Sequence, residues 1–211
     1  MSDEALPELI SKLKRCFPES APLTLRPSAG AQAWASAAPR FPGGHARRWF
    51  AALDGQSDEL PAYDGHSFFT LAEALAAMKV ADEIREQPEP YWVDATWISI
   101  ASDHTSHHLM IDDRDGRVLS VAPDDDHVTV LAESPEAWID SLVRGVADGT
   151  TVWHQAFGLV PKRVIDEVEA HRAGSAGAAR RSPDDRVKIL AGIGIALVVA
   201  ALLAVWFELH R

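Results

Sequence analysis

Cysteine is almost absent from this 211-residue chain, in which Cys16 stands alone. A single thiol cannot form an internal disulfide, and it cannot supply the several thiolates of a structural zinc cluster. Because Cys16 lies on the apolar side of a predicted helix, we expect a buried structural thiol and not a nucleophile.

Positive charge is scarce in the first 170 residues, which hold 14 Lys and Arg against 28 Asp and Glu. Phosphate binding needs clustered Lys and Arg, so this part of the chain is not expected to bind nucleic acid. An acidic body fits a basic protein partner, or it serves solubility alone. Residues 171–211 have the opposite balance, with 6 Lys and Arg and 3 Asp and Glu.

Signals typical of an enzyme or a secreted protein are also missing. Residues 1–16 start with acidic side chains and contain no continuous apolar run, so they do not resemble a secretory signal and the body is expected to fold in the cytoplasm. The sequence has no phosphate-binding loop, dinucleotide fingerprint or nucleophile elbow. It therefore predicts neither an enzyme nor a cofactor.

The chain does have a long apolar run, residues 189–207, which contains 19 residues and no charged side chain. A helix of that length is roughly 28 Å long, close to the hydrocarbon thickness of a bilayer. We predict one transmembrane helix at 187–207 and a short tail at 208–211, with Trp206 and Phe207 as an interfacial anchor.

Basic residues before this run set its predicted orientation. Arg180, Arg181, Arg186 and Lys188 precede the run, and the positive-inside rule then keeps the N-terminal body in the cytoplasm. The predicted location is the plasma (inner) membrane, with one C-terminal anchor. Small residues at every fourth position of the run permit a close helix–helix contact, and hence a homodimer; they are Gly192, Ala196, Ala200 and Ala204.

Apolar residues at helical spacing predict four helices in the first half of the chain. The clearest opens with Thr70 and Glu73, which have the spacing of a capping box, and it stops before Pro88. The predicted helices lie within residues 6–17, 29–41, 43–56 and 70–87.

From residue 97 the apolar period changes to two, which is typical of strands. The runs "WISIA", "HHLMID", "RVLSV" and "HVTVL" are separated by turns rich in Asp and Gly, and they predict a four-stranded antiparallel meander. Ser134 and Pro135 then predict the start of a helix that Gly149 ends, and a later helix is predicted from Pro161. Trp97 and Trp138 are expected in the core.

Residues 47–56, 67–78, 97–121 and 133–142 follow one another in an order and spacing that resembles the SUKH superfamily, which includes yeast cell-wall-assembly regulators and many bacterial immunity proteins. "RRWFAALDGQ" (47–56) is similar to an early helix of that family and the turn that ends it. "SFFTLAEALAAM" (67–78) resembles the strand-to-helix passage that follows. "WISIASDHTSHHLMIDDRDGRVLSV" (97–121), with "ESPEAWIDSL" (133–142), resembles the Trp-led strand, the Ala-Ser-Asp corner, the Gly turn and the closing helix.

The resemblance covers about residues 5–150, and it implies an α+β domain with helices around a central antiparallel sheet. It also implies binding and not chemistry, since bacterial members commonly neutralise a toxin delivered by a neighbouring cell. The chain departs from the family just after Asp103, where residues 104–107 read His-Thr-Ser-His in place of the usual glycines and second acid. That loop should be stiffer here.

Residues 97–121 nevertheless contain three histidines and four aspartates, which raises the question of a metal or catalytic site. His107 and His108 are adjacent in a predicted strand, so their side chains point to opposite faces, although His104, His107 and Asp103 could still converge on zinc. The sequence does not match a calcium-binding loop, because aligning Gly116 with the sixth position of such a loop places apolar residues at its first and last ligand positions.

Turns attract aspartate because its side chain bonds nearby backbone amides, so paired carboxylates there do not by themselves indicate acid–base catalysis. We predict instead an acidic rim that binds a protein partner. It consists of Asp103, Asp112, Asp113, Asp124, Asp125 and Asp126. No metal ligand is assigned.

The sequence therefore predicts an α+β fold, an antiparallel meander flanked by helices, plus one C-terminal transmembrane helix. The expected organisation is a SUKH-like domain at 1–150, a trailing segment with a helix at 151–172, a flexible linker at 173–186, and then the span and the tail. The expected function is a membrane-tethered immunity protein that occludes a cognate toxin. The alternatives are a membrane-anchored scaffold or regulator of cell-envelope assembly without a toxin partner, and a zinc-dependent hydrolase.

Overall fold

The computed structural model describes residues 5–20, 23–57, 60–86, 94–103, 105, 107–122 and 128–178, and the side chains up to residue 172. The chain divides into two units, Met1–Arg163 and Val164–Arg211. The fold described below is that of the first unit, except for the last helix.

A five-stranded antiparallel sheet forms the centre of the first unit. Its order in space is the order in the chain, which confirms the meander predicted from residue 97 onwards and adds one short strand before it. The strands are β1 (Ser67–Phe68), β2 (Trp97–Ser102), β3 (His108–Asp112), β4 (Val118–Val121) and β5 (Val128–Ala132).

Helices flank this sheet, so the predicted α+β class is confirmed. Helix α4 packs against β2, α3 against β3 and α5 against β5. The helices are α1 (Leu6–Lys14), α2 (Ala31–Ala37), a 3-10 turn (Ala38–Arg40), α3 (His45–Ala52), α4 (Leu71–Arg85), α5 (Pro135–Asp148) and α6 (Lys162–Ala178).

Local sequence signals explain where α4 begins, and where α5 begins and ends. The Thr70 hydroxyl accepts from the Glu73 amide over 3.2 Å and the Glu73 carboxylate accepts from the Thr70 amide over 2.7 Å, so the predicted capping box is confirmed. Ser134 caps α5 by accepting from Ala137 at 3.1 Å, and Gly149 ends it with φ +78°. The second helix, α2, ends at Ala37, two residues before Pro39, and the chain passes through Pro39 as a 3-10 turn.

The main core lies between the helices and one face of the sheet. Trp49 of α3 and Trp138 of α5 are 0 % and 2 % exposed and lie 5.8 Å apart, ring centroid to ring centroid. Ile98 and Ile111 of the sheet belong to the same cluster. Side chains alternate along a strand, so their neighbours in the sequence face the other side.

That second face carries a separate apolar cluster. Met110, Leu119 and Val121 form it, with Trp97 partly buried against them. Trp138 therefore lies in the main core as predicted, whereas Trp97 belongs to the opposite face of the sheet.

A second hairpin, β6 (Thr151–His154) and β7 (Gly158–Pro161), was not predicted. It joins the rest of the first unit through Leu159, which bridges Tyr63 and whose amide donates to the Ala62 carbonyl at 2.9 Å. Gly158 is required at this contact, because its φ is +72° and a Cβ would lie 2.5 Å from the backbone of Pro61 and Ala62.

The last helix, α6, extends to Ala178, so helix covers the first part of the range predicted as a flexible linker at 173–186. In the part of the chain that the structure describes, no helix is long and apolar enough to cross a bilayer. The predicted span at 187–207, the tail at 208–211 and the small-residue face with Gly192, Ala196, Ala200 and Ala204 all lie outside the described residues.

Candidate functional site

The hairpin formed by β3 and β4 places the first of the predicted rim residues, Asp112, at a buried corner. Its exposed fraction is 0 %, and Trp97 and Thr96 donate to it at 3.2 Å each. Arg114 donates three times: its amide at 3.1 Å and Nε at 3.0 Å to Oδ1, and Nη2 at 2.7 Å to Oδ2. Arg117 Nη2 lies 3.7 Å from the same carboxylate.

Burial by itself would raise the pKa of Asp112, but the hydrogen bonds and the charge of Arg114 outweigh it and lower the pKa to about 2. The carboxylate is therefore ionised throughout the physiological range. It fixes the turn between β3 and β4 and holds Trp97 against the second face of the sheet. A carboxyl group this acidic and fully bonded is unsuited to act as a general acid or base near neutral pH.

Asp113, the second rim residue, accepts hydrogen bonds from the start of α3, which lies in a distant part of the chain. Its Oδ2 accepts from the amides of Gly43 at 2.7 Å and Gly44 at 3.2 Å, and its Oδ1 accepts from the amide of Ala46 at 2.8 Å. Asp113 thus satisfies amides that have no partner within α3, and its charge complements the positive end of the helix dipole. Its exposed fraction is 1 %.

The surface role predicted for Asp112 and Asp113 does not fit this geometry and is corrected. Both carboxylates are buried and committed to internal donors, so neither can reach a partner unless the hairpin opens. The adjacent "DD" pattern suggested a solvated turn because acidic residues are almost never fully buried unless paired. Here the partners are supplied by Arg114 and by the amides that precede and begin α3.

Asp103, the third rim residue, lies at the corner between β2 and β3 with its side chain 19 % exposed. It accepts from the Thr105 amide at 2.9 Å, the Thr105 hydroxyl at 2.7 Å and the His107 amide at 3.1 Å. Burial opposes ionisation, but the bonds from Thr105 and then His107 hold the pKa of Asp103 below its ordinary value. This aspartate stiffens the corner and remains partly accessible.

Three histidines gather beside this corner. The rings of His66 and His107 are parallel within 5° with centroids 6.5 Å apart, and His107 Nδ1 lies 3.6 Å from Asp103 Oδ2. His66 is 5 % exposed, its Nδ1 bonds the Asp64 carbonyl at 2.9 Å, and its Nε2 has no hydrogen-bond partner within the described part of the chain. Burial lowers the pKa of His66 and of His108. No local pattern in the sequence predicts that His66 joins this group.

His108 and Ser99 form a pair that resembles a nucleophile and its base. His108 Nδ1 lies 2.7 Å from the Ser99 hydroxyl, and burial together with the nearby His66 lowers the pKa of His108. Ser99 is only 4 % exposed, and its hydroxyl also lies 3.4 Å from the carbonyl of Ala101 across the bulge in β2. A hydroxyl closed off in this way holds the bulge in place and is not accessible to a substrate.

The predicted convergence of His104, His107 and Asp103 on a metal involves a residue outside the described part of the chain, His104. Among the residues that the structure does describe, no group of three or more His, Cys, Asp and Glu side chains is arranged to hold a metal ion.

A cavity of about 440 Å³ lies beside α2 and α3. Its polar lining comes from Ser28 and Arg47, and the remaining lining residues are Trp34 and alanines. The lining contains no acid or histidine, so it provides neither a general base nor a carboxylate ligand.

The second face of the sheet ends at β5, the last strand in the order of the sheet among the described residues. Val128 and Val130 are 38 % and 45 % exposed, although both are large apolar residues. Val128 pairs with Val121 and Val130 pairs with Leu119, so the two valines extend the apolar cluster of the second face outwards. Sequence reasoning predicted this strand but not its exposure.

Acidic residues surround this edge in the sequence. Between residues 118 and 143 there are six Asp and Glu and no Lys or Arg. Asp124, Asp125 and Asp126, the remaining rim residues, belong to this stretch and lie outside the described residues. Glu133, just after β5, is exposed and makes no hydrogen bond or ion pair with another described residue.

No protein-family model matches the sequence. No curated protein matches it either.

Proposed function

We propose that this chain is a membrane-tethered immunity protein that binds a cognate bacterial protein toxin and neutralises it by occlusion. The observation that carries the proposal is the open edge of the sheet. Apolar side chains of β5 are exposed there, within a stretch that holds six Asp and Glu and no Lys or Arg. A surface that combines exposed apolar groups with charge of one sign is typical of a protein-binding site.

Charge supports a basic partner. The first 170 residues hold 14 Lys and Arg and 28 Asp and Glu, so the body repels acidic proteins and attracts basic ones. Long-range attraction raises the rate of encounter, which matters for an inhibitor that must reach its toxin before the toxin reaches its target.

The polar groups of the Trp-led hairpin support binding and not catalysis. The carboxylates of Asp112 and Asp113 are buried and accept hydrogen bonds from internal donors, and Ser99 is also buried. The SUKH-like order of motifs in residues 47–142 has the same implication, and the helices around an antiparallel sheet agree with the fold that this resemblance implies.

The proposed tether is the apolar run at 187–207, with the body on the cytoplasmic side of the inner membrane. A tether confines the body to a thin layer at the membrane and so raises its effective concentration there. That arrangement suits a toxin that acts at this membrane or enters through it.

Co-expression tests the proposal. The protein encoded by the adjacent gene should arrest growth when it is produced alone, and production of this chain should restore growth. An immunity protein of another specificity serves as the matched control and should give no rescue. If the adjacent product is toxic and this chain never restores growth, the proposal fails. A morphology defect on deletion, in cells without any toxin, would favour the scaffold of envelope assembly instead.

A further inference from the structure

The edge strand β5 leaves one side of its backbone unpaired among the described strands. It is hydrogen-bonded to β4 on one side, and it is the last strand in the order of the sheet. An unpaired edge is a template for another strand, and proteins that do not use such an edge usually block it with Lys, Pro or a covering segment. Between Val128 and Ala132 there is neither a Lys nor a Pro.

We propose that β5 is the docking strand for the partner: an extended segment of a basic protein adds to the sheet beside Val128–Ala132 as a sixth strand. This inference rests on the proposed function, and it names the surface and the chemistry of the segment. Backbone hydrogen bonds to β5 would supply much of the affinity, and alternating side chains would supply the specificity.

The side chains of β5 define what the added strand must carry on its apolar face. Val128 and Val130 lie on the same face of the sheet as Leu119 and Val121, the residues with which they pair in β4. A β-branched side chain on the added strand, beside Val128 or Val130, would continue this row and bury both valines. A strand as long as β5 spans roughly 17 Å, so about five partner residues fit.

Charge decides which occupant fits this edge. Three aspartates precede β5 in the sequence by two residues, and the exposed Glu133 follows it. A segment with Lys or Arg on both sides of an apolar centre therefore complements both ends. Farther along, Glu136 and Asp140 already lie 3.6 Å from Arg48 and 3.0 Å from Arg144, so the attraction comes chiefly from the acids next to β5.

The same charges disfavour a second copy of this chain as the occupant. Antiparallel pairing of β5 with itself would join two strands that each belong to a stretch with six Asp and Glu and no Lys or Arg, residues 118–143. Like charges placed opposite each other destabilise a strand pair. The basic partner is therefore the occupant to which the inference commits.

A synthetic peptide tests the inference without knowledge of the natural partner. The probe is Lys-Lys-Thr-Val-Thr-Val-Thr-Lys-Lys, added to the full chain in nanodiscs of zwitterionic lipid, so that the bilayer itself does not attract it. Amide hydrogen exchange then reports strand pairing. We expect exchange within residues 128–132 to slow at least several-fold at millimolar peptide, with little change in α1 or α4. A peptide with Glu in place of Lys should give no protection.

Variants of the chain locate the contact. Val130→Lys and, separately, Val128→Lys should abolish the protection, because a lysine on the edge repels the basic peptide and opposes strand addition. Val80→Lys is the matched control, because Val80 is also an exposed valine, at 54 %, but lies on α4. In this variant the peptide should slow exchange within residues 128–132 as much as in the unaltered chain. Unchanged exchange in β2 and β3 of each variant shows that the sheet has folded.

Three results would overturn the inference: no protection at residues 128–132, protection that survives both lysine variants, or equal protection by the Glu peptide. None of them bears on rescue by co-expression, which judges the proposed function separately. If Val130→Lys and Val128→Lys both still restore growth, the chain is an immunity protein that binds its toxin at another surface.

Discussion

Gly43 and Asp113 are in contact across 70 positions of the chain. The Gly43 amide donates to Asp113 Oδ2 at 2.7 Å, and a Cβ built on Gly43 would lie 1.4 Å from the Asp113 carbonyl oxygen. The contact attaches the turn after β3 to the start of α3. The hairpin of β3 and β4 is thus held in place by a carboxylate that sequence reasoning assigned to the surface.

Asp113→Asn should destabilise the chain by roughly 2 kcal/mol or more. The amide keeps the size of the side chain, but it removes a charged acceptor and points an N–H₂ group at backbone donors. The measurement is the free energy of unfolding from urea titration. Asp115→Asn is the matched control in the same turn: that side chain is 47 % exposed and pairs with Arg117, so a change below about 0.5 kcal/mol is expected. Equal losses of unfolding free energy in the two variants would show that Asp113 has no special structural role.

Gly43→Ala should be more damaging than Asp113→Asn. The new methyl group would overlap a backbone carbonyl, which cannot turn aside as a flexible side chain does. We expect a large fall in soluble yield, and a fall in Tm of roughly 4–12 °C in any protein recovered, for a loss of roughly 2–3 kcal/mol. Gly30→Ala is the control, since a Cβ there meets nothing within 4 Å and φ is −65°. A Gly43→Ala protein as stable as Gly30→Ala would show that the two segments are not in this contact.

Acid should destabilise the chain through Asp112. Its pKa is about 2 in the folded protein and lower than in the unfolded chain, so the unfolded state takes up protons first as the pH falls. The stabilisation is complete above the unfolded pKa and is lost between about pH 5 and pH 2. Because the Arg114 side chain is 54 % exposed and solvent screens the pair, the stabilisation amounts to roughly 1–2 kcal/mol.

Urea titrations at several pH values test this linkage. Asp112→Asn has no proton to take up, so its stability should fall less steeply than that of the unaltered chain between pH 5 and pH 3. Asp115→Asn should keep the steep fall, because Asp112 is intact. Parallel curves for the unaltered chain and Asp112→Asn would contradict the assigned pKa.

Removal of residues 187–211 should release the body from the membrane. The predicted anchor is lost, while the sheet and the helices up to α5 keep every contact described above. The measurement is the share of the protein that sediments with membranes after a carbonate wash. Removal of residues 208–211 alone is the control and should leave the protein in the pellet. Sedimentation of the longer deletion would show that the apolar run is not the anchor.

Local signals were sufficient for much of the fold. The helical spacing of Leu6, Leu9, Ile10 and Leu13, the capping box at Thr70, and the Ser134–Pro135 start each involve residues within a turn or two of one another. Signals of this short range can be recognised from neighbouring residues alone, without knowledge of the fold. The predicted meander was found as well, because each of its strands pairs with the next one along the chain.

The parts that were missed depend on distant contacts. Asp112 and Asp113 resemble a solvated turn until Arg114 and the amides of Gly43 and Ala46 are seen to surround them. The Gly43–Gly44 pair just before a helix was the one available hint, since two glycines there allow close backbone approach. The hairpin of β6 and β7 was missed because "TVWHQAFGLVP" has no strong turn dipeptide, and its docking on Tyr63 and Ala62 is long-range.

The most direct test of the account is a binding measurement between the full chain in nanodiscs and the purified product of the adjacent gene. Size-exclusion chromatography with light scattering should show a complex of fixed stoichiometry, and the activity of the toxin should fall in proportion to the complex formed. Raising the salt concentration should slow association, as expected for an acidic body and a basic partner. A toxic partner that remains separate and fully active at micromolar concentrations of this chain would contradict the account.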